Sequence, residues 1–159
     1  MTPTVLNGPF ELANRILYIL DAAWPQGVTF NSLALLDYAL VHSEELGGPP
    51  SLHPATPGKQ GELAVRRPTL QTAIALLIRH GLIDATATDA GIAYSASESA
   101  GAFVELIQSD QGVRLRERSE WIAGNLVGLT RDQLREVLRG ITSEWQHEFE
   151  TPGTEETSG

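Results

Sequence analysis

Three side chains near the middle of the chain, His42, His53 and Glu62, could together hold a metal ion or move a proton. A His/His/Glu set is a combination that binds zinc, and such a site could serve a small hydrolase. The spacing fits no metal-ligand pattern, and loop histidines more often hydrogen-bond backbone. Neither metal nor cofactor is therefore expected. Asp37, one acid late in a helix, reads as a salt-bridge or cap partner and not as a catalyst. Gly47-Gly48-Pro49-Pro50 is glycine-rich, but no Lys follows it and its prolines lack the N–H groups that would cradle a phosphate. There is no Gly-x-Ser-x-Gly elbow and no paired carboxylates. Without a single Cys, thiolate catalysis, thiolate metal binding and disulfides are all excluded. The chain is expected not to be an enzyme.

Arg66, Arg67 and Arg79 suggest a different chemistry. With no acid between them, they could meet DNA phosphates and base edges. Two features oppose this. Twenty acidic against eleven basic residues give a net charge of −9, which repels nucleic acid and anionic lipid alike. The hairpin expected to follow carries Asp84 and Asp89 but no Lys or Arg. DNA contact is thus expected to be weak or indirect, and the arginines to form a solvated face or to pair with acids.

The elements that would position these groups are legible. Asn7-Gly8-Pro9 opens a helix on which Phe10, Ala13, Ile16, Leu17, Leu20 and Trp24 recur at helical spacing, and Pro25 ends it. Val28-Thr29-Phe30 reads as a short strand. Asn31 is the expected N-cap of a second helix with Leu33, Leu36, Leu40 and Val41 inside. A third helix starts near Arg67-Pro68 and buries Leu70, Ala73, Ile74, Leu77 and Ile78, with Gly81 as its C-cap. Leu82–Thr88 and Ile92–Ala96 alternate around an Asp89-Ala90-Gly91 turn and predict a hairpin. Ser97 caps a fourth helix whose core candidates are Ala102, Phe103, Leu106 and Ile107.

From Gly112 the chain is charged and helical up to Gly128-Leu129. Thr130 and Gln133 then form a capping box for a last helix carrying Leu134, Val137, Leu138, Ile141 and Trp145. Residues 151–159 read as a disordered tail. The fold class expected is mainly α with a small β-hairpin: a winged-helix domain over 1–110, with a helical C-terminal extension over 111–150. The extension's large apolar residues Trp121, Ile122, Leu126, Leu134, Leu138 and Trp145 are candidates for a protein interface.

Between the second and third helices lie Ser43 to Val65, 23 residues with four Pro and four Gly and no amphipathic period. Loops of this length in small domains are uncommon and usually functional or disordered. Leu46, Leu52, His53, Leu63 and Val65 are too apolar for a solvated linker. The loop is expected to be packed down, either bracing its own domain or gripping a partner. With no basic and apolar leader at Met1–Pro9 and no helix fit to cross a bilayer, a cytoplasmic, non-membrane protein is expected.

One set of residues carries a family resemblance. Leu36-Asp37-Tyr38, Val41-His42-Ser43, Gly47-Gly48-Pro49-Pro50-Ser51-Leu52-His53-Pro54, Gly61-Glu62-Leu63, Val65-Arg66-Arg67 and Gly81-Leu82-Ile83 resemble the middle component of bacterial ABC-three-component systems, which overlap with Lamassu-type antiphage defence. The likeness covers about Leu33 to Ala96 and is weaker beyond. It implies an adaptor between an ATPase resembling structural-maintenance-of-chromosomes (SMC) proteins and an effector, often a nuclease. ATP hydrolysis and DNA cutting would then belong to the partners. The alternative is a winged-helix transcriptional regulator using Arg66, Arg67 and Arg79.

Overall fold

The computed structural model describes residues 8–50, 67–106 and 109–139. Helix α1 (Pro9–Ala23) begins as the sequence predicts, with extended Gly8 before it and Pro9 in the first turn. It is the central element, packed chiefly on α3 (Arg67–Arg79) and α5 (Asp110–Asn125), and it buries Leu12, Ile16, Leu17, Tyr18, Ile19 and Leu20. Its expected end members Phe10 and Trp24 are exposed instead. Phe10 lies in the first turn, and Trp24 is the cap residue, where the backbone has already left the helix.

Strand β1 (Val28–Thr29) leads into α2 (Phe30–Val41). The cap of α2 is Thr29, not Asn31. Asn31 lies inside the first turn, where its Oδ1 accepts a hydrogen bond from Arg67 Nη1 at 3.3 Å. A 3-10 turn over Ser43–Leu46 follows.

Helix α3 ends on Gly81, whose φ of +71° is left-handed. Gly81 N–H donates to Ile78 O and Leu82 N–H to Leu77 O, a Schellman closure. The hairpin is β2 (Ile83–Thr88) and β3 (Gly91–Ala96), in register from Ile83↔Ala96 to Thr88↔Gly91. Strand β1 pairs on the far side of β3, giving an antiparallel sheet of order β1-β3-β2.

Helix α4 (Glu98–Leu106) is capped by Ser97 Oγ, which accepts from Ser99 N–H and donates to Gly81 O. It packs on α1 through Ala100 and Val104. Ala102, Phe103 and Leu106, expected in the core, are exposed because α4 turns its small-residue face inward; Ile107 lies outside the described residues. Helix α5 starts at Ser109, whose Oγ accepts from Gly112 N–H. The predicted capping box closes with Thr130 N–H to Gln133 Oε1 at 2.8 Å and Gln133 N–H to Thr130 Oγ1 at 3.1 Å. It starts helix α6, residues 131–139.

The structure is mainly helical with one small antiparallel sheet. Leu115, Ile122, Leu134 and Leu138 belong to the same core as α1 to α4, so the C-terminal helices complete that core. No helix among the described residues is long and apolar enough to cross a membrane.

Candidate functional site

The Gly-Gly-Pro-Pro run is held at the base of the loop by two layers of contacts. The first is a buried ion pair that joins α1 to α2, the helix that leads into the run. Arg15 Nε lies 2.6 Å from Asp37 Oδ1 and Nη2 lies 3.0 Å from Oδ2. Burial alone would lower the Arg15 pKa, but the facing Asp37 carboxylate more than offsets this and raises it. One turn further along α2, the His42 ring sits 4.9 Å from that of Tyr38, and its Nδ1 is 3.0 Å from Glu45 Oε1. Burial, and then the Glu45 charge, raise the Tyr38 pKa.

The second layer is the run itself. Gly47 adopts a φ of +87°, which reverses the chain after the 3-10 turn. Ser43 Oγ donates to Pro49 O at 2.8 Å and Gly48 N–H to Ser43 O at 2.9 Å. Helix α5 closes over the top. Arg118 Nε donates to Pro50 O at 2.6 Å and its Nη1 to Arg114 O at 2.8 Å. The Trp121 ring lies against Gly48 so closely that a Cβ there would come within 2.7 Å of ring carbons. The two prolines offer carbonyls but no N–H groups; Ser43 Oγ satisfies the Pro49 carbonyl and Arg118 the Pro50 carbonyl. The arrangement fixes the backbone of the run between the end of α2 and α5.

A second feature lies on another face. An open groove of about 1010 Å³ runs between the start of α2, the outer side of α3, the hairpin tip and the α5–α6 connection. Ile74, Ile78, Ile92, Val127 and Leu129 give it an apolar lining. Ile78, expected in the core, is 44% exposed and Ile92 is 51% exposed. Helix α3 buries only the Leu70–Ala73–Ile74–Leu77 side, so the neighbouring stripe through Gln71, Ala75 and Ile78 opens on the groove. Arg67 stands at its edge, its guanidinium 4.5 Å from the Phe30 ring centroid.

The structure thus places Asp37 on α2 and His42 at its C-cap, with Gly47, Gly48, Pro49 and Pro50 following and held against α5. His53, Pro54, Glu62 and Arg66 lie outside the described residues, as does Trp145. Arg67 and Arg79 sit at the two ends of α3 and are exposed. Of the apolar residues proposed as an interface, Ile122, Leu126, Leu134 and Leu138 are enclosed in the chain's own core, because α5 and α6 fold back on it. A partner could not touch them without opening that core. Trp121 is half-buried against Gly48.

Sequence reading missed Arg15 and Arg118, both buried. Each was detectable by position. Arg118 falls in the stripe of Leu115, Ser119 and Ile122, and Arg15 between Leu12, Ile16 and Ile19.

Comparison with known proteins adds one finding. A family model described as ABC-three component (ABC-3C) system Middle Component 2 matches residues 5–148. No curated protein and no solved structure matches the chain.

Proposed function

This chain belongs to the Middle Component 2 family of ABC-three-component systems, and from that premise we propose that it is a non-catalytic adaptor. In this reading it links an SMC-like ATPase subunit to an effector subunit in a Lamassu-type antiphage defence complex of the bacterial cytoplasm. Any ATP hydrolysis or cutting of DNA belongs to the partners.

The observation that carries the reading is the pairing of family membership with the groove along α3. Its lining includes Ile78 and Ile92, two large apolar side chains left half in water. Exposed apolar surface framed by polar residues is characteristic of protein interfaces. The loop-base contacts fit the same reading, since Arg118 and Trp121 hold the backbone of the run in place.

We assign the fold of residues 9–106 as winged-helix: α1, β1, α2, α3, then a β2–β3 hairpin as wing, then α4. A DNA-reading winged helix would want cations on the wing, whereas this hairpin exposes Asp84 and Asp89. The groove side of α3 is largely apolar, which favours protein over DNA as the partner.

The test is co-expression with the ATPase and effector subunits encoded beside this chain. The adaptor reading predicts one complex containing all three, in which the ATPase and effector associate only when this chain is present. Direct ATPase–effector association without it would overturn the reading.

A further inference from the structure

The groove differs in charge from the rest of the molecule. The chain carries a net −9, yet Asp132 is the only acid among the described groove-lining residues, and Arg67 and Arg131 outnumber it. Helix starts add to this. Phe30 to Ser32 of α2, Arg67 of α3, and Arg131 with Asp132 of α6 all border the groove. First-turn N–H groups give each helix start a partial positive charge. At the α2 start Thr29 makes no side-chain cap hydrogen bond.

The floor between these positive rims is apolar. On α3 the exposed member is Ile78, while Ile74 one turn earlier is 4% exposed and backs the floor from the core. Ile92 faces the groove from the hairpin tip, and Val127 and Leu129 from the α5–α6 connection. Such a floor suits the ridge of a helix carrying apolar residues at i and i+4. The rims suit carboxylates beside that ridge.

Resting on the adaptor reading, we propose that this groove receives an amphipathic, acidic helix of a partner subunit. The apolar ridge would lie on Ile78 and Ile92, and Asp or Glu side chains would reach Arg67 and Arg131. A nucleic-acid occupant would leave the isoleucines without apolar contact. A second copy docked groove on groove would set the like charges of Arg67 and Arg131 against each other.

The test uses short overlapping peptides tiling the two partner subunits encoded beside this chain. A peptide of this chain's own residues 140–159 and a short DNA duplex serve as further probes. Binding to the full chain is measured by fluorescence anisotropy. The proposal predicts that a partner peptide with i, i+4 apolar residues and flanking acids binds, and that Ile78→Asp weakens it at least about tenfold. The pair Arg67→Glu/Arg131→Glu should weaken it similarly, and added salt should weaken it further. Tight binding of the residue 140–159 peptide or of the duplex to the groove, or binding of no peptide, overturns the proposal. A three-subunit complex that forms normally with both groove variants overturns this inference and leaves the adaptor reading standing.

Discussion

Arg15 on α1 and Asp37 on α2 meet through two parallel contacts, at 2.6 and 3.0 Å, with both residues 3% exposed. The pair ties the central helix to α2, the helix that leads into the Gly-Gly-Pro-Pro run. Removing one partner leaves an unpaired buried charge, a change that typically costs about 3–5 kcal/mol. Asp37→Ala and Arg15→Ala should each lose that much in urea denaturation. Replacing both by similar-sized apolar residues, Arg15→Met with Asp37→Leu, should cost less than either single change. Equal, small losses in all three would mean that the pair is solvated.

Gly48→Ala should destabilise the protein by about 1–3 kcal/mol, because the added methyl meets the Trp121 ring. The displaced ring should also change its fluorescence. Gly128→Ala, where no atom lies within 4 Å of the added Cβ, is the control and should stay within about 0.5 kcal/mol of wild type. A silent Gly48→Ala would show that the ring does not pack there.

Arg118→Met should cost about 1.5–3 kcal/mol, since it takes a charged donor from the Pro50 and Arg114 carbonyls. Arg118→Lys should recover only part of this, because one ammonium cannot reproduce the fork that reaches both carbonyls. Thermal melts of the two variants read the difference, and full rescue by Lys would contradict the geometry.

Burial raises the Tyr18 and Tyr38 pKa values above the ordinary tyrosine range. The unfolded chain therefore releases these protons first. The corresponding stability is intact below about pH 10 and is lost as pH rises toward the folded-state values. Urea midpoints should stay level to about pH 10 and fall beyond it. The Tyr18 hydroxyl is buried with no hydrogen-bond partner among the described residues. Tyr18→Phe should therefore be neutral or stabilising at neutral pH and should reduce the alkaline loss. A large cost at neutral pH would point to a hidden partner.

What the sequence disclosed depended on whether the cause was local. The hairpin register follows from alternation around Asp89-Ala90, the end of α3 from Gly81, and the start of α6 from the Thr130/Gln133 box, all short-range chemistry. The errors concern which neighbour covers a face. Ile78, Phe103 and Leu106 have the right letters for a core, but α3 turns Leu70, Ala73, Ile74 and Leu77 inward and α4 turns Ala100 and Val104 inward. Ile122, Leu126, Leu134 and Leu138 looked surplus to a small domain, yet α5 and α6 fold back and bury them. At the loop base, the glycines and prolines were visible as a run. Their clamp, Arg118, lies 68 residues away from Pro50, and its letter suggests a solvated face.

The central claim is that this chain joins two other subunits through its groove. The most direct measurement is the mass of the assembly formed from purified ATPase, effector and this chain, with wild type set against Ile78→Asp. The account predicts a three-subunit complex with wild type that loses a subunit with the variant. An ATPase–effector complex of unchanged mass whether or not this chain is added would contradict it.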